Sequence, residues 1–166
     1  MHKFNIAMKF EEAIQKIQYG KCLLLTGAGF SLGAKNYKQD KSAFRIAKYI
    51  AHELYNECDV PKENQDDDLR RASQLYIRQY GEDKIIAFLQ REFIIKEISP
   101  TQKELGNFPW RRCYTLNYDE ILERAYLENN KLLSSVTLSD ESEQYRTSSV
   151  CVHLNGVISQ LSRATI

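Results

Sequence analysis

An α/β fold built on a parallel sheet is predicted by three features of this 166-residue chain. Short apolar runs alternate with amphipathic helical segments, two glycines close the first run, and polar segments follow the later runs at their C-terminal ends. Strands and helices in alternation favour parallel strands joined by crossovers, with the ligand crevice at the strand C-terminal ends.

Phe10, Ala13, Ile14 and Ile17 recur at helical spacing, so residues 9–19 read as an amphipathic helix stopped by Gly20. Residues 21–26 read as the first strand, because Cys22 to Leu25 form a short unbroken apolar run, as expected where both faces of a parallel sheet are covered. Gly27 and Gly29 then form a turn into a helix start. Backbone N–H groups and a helix dipole there would attract anionic oxygens, although any α/β protein can use such a turn as a plain connection. The polar stretch 35–41 is too long for a simple turn. Ala47, Ile50, Ala51, Leu54 and Tyr55 mark one face of a helix over about 42–57. Residues 60–68, with a proline and three successive aspartates, read as a solvated connection into a helix N-terminus. Helices near 67–80 and 82–96 point Leu69, Ala72, Leu75 and Tyr76, then Ile85, Ile86, Leu89 and Phe93, inward. They make up a helical insertion over about 60–100. Residues 109–116 lead into a second strand, Ile121, Leu122 and Ala125 start another helix, and 132–138 and 149–154 read as further strands around a polar loop, 139–148.

Lys and Arg total 23 against 22 Asp and Glu, a net charge of +1. Nothing in that balance recommends nucleic acid, an anionic membrane or an acidic partner. The four cysteines, at 22, 58, 113 and 151, include no Cys-x-x-Cys pair and read as small buried hydrophobes in a reducing compartment. No structural zinc site and no other metal is expected from that spacing. No membrane span or signal peptide is visible, so a cytoplasmic location is expected.

Three segments carry candidate chemistry: Gly27, Ala28, Gly29, Phe30 and Ser31; Asn117, Tyr118 and Asp119; and His153, Leu154, Asn155 and Gly156. Each lies at the C-terminal end of a predicted strand. Each also has a purely structural reading. Asn117 followed by Glu120 fits a capping box for the helix carrying Ile121, with Asp119 complementing the helix dipole. Ser31 fits a helix cap, Phe30 a core residue, and His153 a hydrogen-bonded core histidine.

Taken together, the three segments resemble the sirtuin-like family, whose motifs run Gly-Ala-Gly-x-Ser, Asn-x-Asp and His-Gly in that order. More narrowly, residues 27–36 and the form Asn117-Tyr118-Asp119 resemble the divergent bacterial branch that consumes NAD in antiviral defence. The resemblance implies a Rossmann-like domain over residues 1–166 whose helical insertion sits over the cleft as a second lobe. It implies NAD as substrate, Asn117 and His153 as catalytic residues, and Gly27, Ala28, Gly29, Phe30, Ser31, Asp119 and Asn155 as contacts to NAD. Two departures stand out. The slot directly before the glycine holds Asn155, with His153 two residues earlier, and Leu116 stands where many sirtuins have glutamine.

The activity implied is NAD hydrolysis to nicotinamide and an ADP-ribose product. Protein deacylation is the alternative enzyme, disfavoured by Leu116 and by the missing zinc ligands. A catalytically silent module binding NAD or ADP-ribose is the third reading. In the family pattern further strands come after the His-Gly motif, and the ten residues from 157 to 166 cannot supply both a crossover helix and a strand. The unit is therefore expected to be truncated at its C-terminus, completed by a further C-terminal domain, a partner protein or a second copy of the chain, and to turn over little when isolated.

Overall fold

A computed structural model describes residues 9–37, 47–141, 145 and 149–161. Four parallel strands form the central sheet: β1 (Leu23–Thr26), β4 (Arg112–Thr115), β5 (Ser134–Thr137) and β6 (Val150–His153). Their order across the sheet is β1-β4-β6-β5. The chain leaves β4 through helix α6 (Ile121–Leu127), lays β5 one place away, and returns β6 into the gap. This is a Rossmann-like α/β arrangement with additional helices.

Strand alternation sets the two faces apart. Leu24, Cys113 and Cys151 line up across β1, β4 and β6 and pack with Leu122, Tyr126 and Leu133 beneath α6. On the other face Leu23 and Leu25 are 59% and 65% exposed. The apolar run at 22–25 predicts a strand covered on both sides. The described residues cover it on one.

Three helices form a separate lobe: α2 (Ala47–Glu57), α3 (Leu69–Tyr80) and α4 (Glu82–Phe93). Ile50, Leu54, Ala72, Tyr76, Ile85 and Phe88 are its core. Asp68 caps α3, its carboxylate accepting from the Arg70 and Arg71 amides, as the aspartate run predicts. Gly81, at φ 87°, ends α3 and opens α4. The lobe takes in α2 as well as the two helices read as the insertion, because Ile50 and Leu54 point into the same core. Residues 42–46 of the helix expected over 42–57, and 142–144 and 146–148 of the polar loop, lie outside the described residues.

Three short elements have no counterpart in the periodicity. Residues 95 and 96, expected to end the helix over 82–96, instead open β3 (Ile95–Glu97), which pairs antiparallel with β2 (Lys35–Asn36). Helix α5 (Pro100–Leu105) comes next, opened by a capping box in which Ser99 accepts from the Gln102 amide and the Gln102 side chain accepts from the Ser99 amide. The helix α1 (Phe10–Gln18) lies where its periodicity predicts.

Candidate active site

The strand ends are brought level by the register. Thr26 of β1 sits beside Thr115 of β4, which sits beside His153 of β6. The three polar segments therefore leave the sheet at one edge, and two backbone bonds extend the ladder past it, Leu116 N–H to Thr26 O and Leu154 N–H to Thr115 O.

The glycine turn does not lead into an α-helix. Residues Ala28–Ser31 make one 3-10 turn, after which the chain goes on to β2. The expected helix macrodipole is absent from this loop, so any anion it holds must be met by local amides. Ala28 and Gly29 are exposed, and a Cβ built on Gly29 would meet nothing within 4 Å. Open space lies directly above the turn.

The first and second segments are joined by side chains. Asn117 donates from Nδ2 to the Gly27 carbonyl at 3.0 Å and to Ser31 Oγ at 2.9 Å. Ser31 Oγ in turn donates to Asp119 Oδ2 at 2.5 Å. The Asn117 amide donates to Thr115 Oγ1 at 3.0 Å. Asn117 thus bonds a loop 90 residues away in sequence and does not cap α6. That helix begins at Ile121 behind a Glu120 with no side-chain cap bond, and Asp119 Oδ1 takes the Ile121 amide at 3.3 Å. Ser31 caps no helix either. Phe30 is half-buried and packs against the core beneath α6, while its carbonyl accepts from Gln102 Nε2 at 2.6 Å.

Ser31, Asn117 and Asp119 are all buried. Burial pushes the Asp119 carboxyl above the ordinary carboxylate range, against the lowering effect of the bonds from Ser31 and the Ile121 amide. A carboxyl in that environment holds its proton further toward neutral pH than a free aspartate. Thr26 Oγ1, at the base of the glycine turn, is buried without a hydrogen-bond partner among the described residues.

His153 has no solvent exposure. Its Nδ1 lies 3.1 Å from the Asn117 carbonyl and its Nε2 lies 2.8 Å from Glu123 Oε1. Both neighbours are acceptors, so the ring satisfies both only with a proton on each nitrogen. The nearby carboxylate outweighs the desolvation that opposes the charge, and the histidine pKa is raised. Neither nitrogen is free to take a proton from a bound sugar in this arrangement. Asn155, in the expected histidine slot, is exposed and donates from Nδ2 to the Leu116 carbonyl at 2.9 Å. The third segment is tied to the second again through the Ile158 amide, which donates to the Tyr118 carbonyl at 2.8 Å.

Three participants lie outside the candidate segments. Gln102 holds the glycine loop, Glu123 holds His153, and Thr26 places an unpartnered hydroxyl under the turn. The run Ser99-Pro100-Thr101-Gln102 carries a capping-box signature with proline at the first helical position, so Gln102 had a local signal. Glu123 and Thr26 had none. No family model and no curated protein matches the chain.

Proposed function

We propose that this protein cleaves NAD at the glycosidic bond, releasing nicotinamide and an ADP-ribose product, and that it does so at the ends of β1 and β4 where Asn117, Ser31 and Asp119 bond one another. That linkage is the observation that carries the reading. It brings the first two of the family-like segments into one polar cluster at the ligand edge of a parallel sheet.

The reaction suits these side chains. Nicotinamide leaves a cationic pyridinium as a neutral molecule, so no general acid is required. The protein has to orient the ribose, exclude water and stabilise an oxocarbenium-like transition state. Asn117 presents an amide that can bind a ribose hydroxyl or the attacking water once its bond to Ser31 is exchanged. Asp119, whose carboxyl burial pushes above the ordinary carboxylate range, can accept hydrogen bonds from a primary carboxamide such as that of nicotinamide. Ala28, Gly29 and the space above them admit the pyrophosphate to backbone amides. Thr26 Oγ1 is a further hydroxyl at the same place, without a partner among the described residues. His153 acts from behind, through the Asn117 carbonyl. A role as the effector of antiviral defence, with depletion of NAD as its output, belongs to the same proposal.

The test is nicotinamide release from NAD at stoichiometric protein, with and without an acylated peptide. Release that ignores the peptide supports hydrolysis, and release that depends on it supports deacylation. NAD binding without release leaves the silent binding module.

A further inference from the structure

We propose that Glu123, Cys151 and His153 form a zinc site that cross-links β6 to α6 behind the strand ends. Cys151 and His153 are two residues apart on β6 and so share the face under α6. Glu123 reaches them from that helix. One ligand atom from each, sulfur, nitrogen and oxygen, lies within 4.8 Å of the other two. Tetrahedral zinc with bonds of about 2.0–2.3 Å places its ligands roughly 3.3–3.6 Å apart.

Two features go beyond proximity. The first is the unused oxygen. Glu123 Oε1 accepts from Ser135 Oγ at 2.8 Å and lies 2.8 Å from His153 Nε2, but Oε2 is buried with no hydrogen-bond partner among the described residues. A carboxylate gripping the cation with both oxygens gives four donor atoms and satisfies that orphan. The second is the outer support. Metal-bound histidines commonly give their other ring N–H to a carbonyl, and His153 Nδ1 faces the Asn117 carbonyl at 3.1 Å. Ser135 steadies the carboxylate in the same way.

Charge and protons balance. A divalent cation with one thiolate and one carboxylate is neutral, which suits a site whose histidine and cysteine have no exposure. Binding releases the Cys151 thiol proton and the proton shared between His153 and Glu123, and nothing is oxidised or reduced. Glu123 also lines a groove of about 340 Å³ with Phe93, Glu120 and Leu127. The site revises the reading of Cys151 as a plain buried hydrophobe.

The experiment is dialysis of the whole folded protein against a chelator, then titration with zinc and, separately, with cobalt(II). Equimolar zinc uptake, a higher melting midpoint and a near-ultraviolet thiolate-to-cobalt charge-transfer band are expected. Cys151→Ala should abolish the band, and Cys22→Ser should keep it. If the folded protein takes up no zinc at micromolar concentration, or if the cobalt band survives in Cys151→Ala, the site is overturned and the three side chains are a buried ion pair beside a thiol.

Discussion

The core of the helical lobe is apolar, with tyrosine hydroxyls reaching Asp66 and Glu57 at its rim and a single buried carboxylate, Glu92, on α4 among the described residues, whereas the strand ends bury Thr26, Ser31, Asn117, Asp119 and His153 at one edge of the sheet. Apolar burial stabilises a fold at roughly 25 cal/mol per Å² and asks only for shape. Buried polar groups must each find a partner, and an isolated miss costs about 1–3 kcal/mol. The lobe is built for stability. The strand ends hold costly groups in fixed mutual geometry, which is the pattern expected where binding or chemistry takes place.

The contrast can be broken from the lobe side first. Phe88→Ala should lower unfolding free energy by about 3–5 kcal/mol, because this ring is 2% exposed at the centre of the lobe core. Chemical denaturation monitored by circular dichroism reads it, and a loss under about 1 kcal/mol would mean the lobe core is loosely packed. Gln102→Leu should cost about 1–3 kcal/mol. It removes half of the α5 capping box and leaves the Phe30 carbonyl without its donor. The same variant should weaken NAD binding more than Phe88→Ala does, because it frees the glycine loop. Equal NAD affinities in the two folded variants would detach Gln102 from the site.

The next effect is read from pH. Asp119 has a raised pKa in the folded state, so between the unfolded aspartate value of about 3.9 and the folded value the native protein binds the extra proton. Stability therefore falls as pH rises through that window and is level above it. Asp119→Asn should remove this fall, so that relative to wild type the variant is more stable near neutral pH than in acid. Parallel pH profiles for the two proteins would show that Asp119 is ionised at its ordinary value. The smallest effect on stability belongs to Gly29→Val. The added side chain meets no protein atom within 4 Å of its Cβ, so the melting midpoint should move little while NAD affinity drops. Unchanged affinity would place the pyrophosphate elsewhere.

Periodicity carried most of the elements. The apolar spacing in α1, α3 and α6 and the short runs at β1, β4, β5 and β6 predict those elements to within a few residues, since one apolar face is enough to impose a period, although α1 buries none of its residues among the described ones. The elements and contacts that escaped it were short or depended on distant partners. β2 and β3 pair over two or three residues, too few to show alternation. The pattern Asn117-x-x-Glu120 is a sound local capping signal, yet the asparagine bonds Gly27 and Ser31, and no local pattern contains partners that far away in sequence. The helix expected after the glycine turn failed for a related reason. Glycines that permit such a turn do not specify the next element, and here Gln102 holds the Phe30 carbonyl while the chain runs on into β2. The three candidate segments were legible as strand-end segments, and the order β1-β4-β6 brought them side by side. The environment of His153 was not, because Glu123 gave no sign in the sequence that it would reach the histidine from α6.

Nicotinamide release from NAD, measured side by side for the wild-type chain and for Asn117→Ala at matched, stoichiometric concentration, bears most directly on the strand-end assignment. Wild type should release nicotinamide above the spontaneous rate, and Asn117→Ala should be slower by on the order of a hundredfold while remaining folded, with a stability loss of about 1–3 kcal/mol from its two side-chain bonds. No release by the wild-type chain, or equal release by both folded proteins, would contradict the assignment of NAD cleavage to the Asn117, Ser31 and Asp119 cluster.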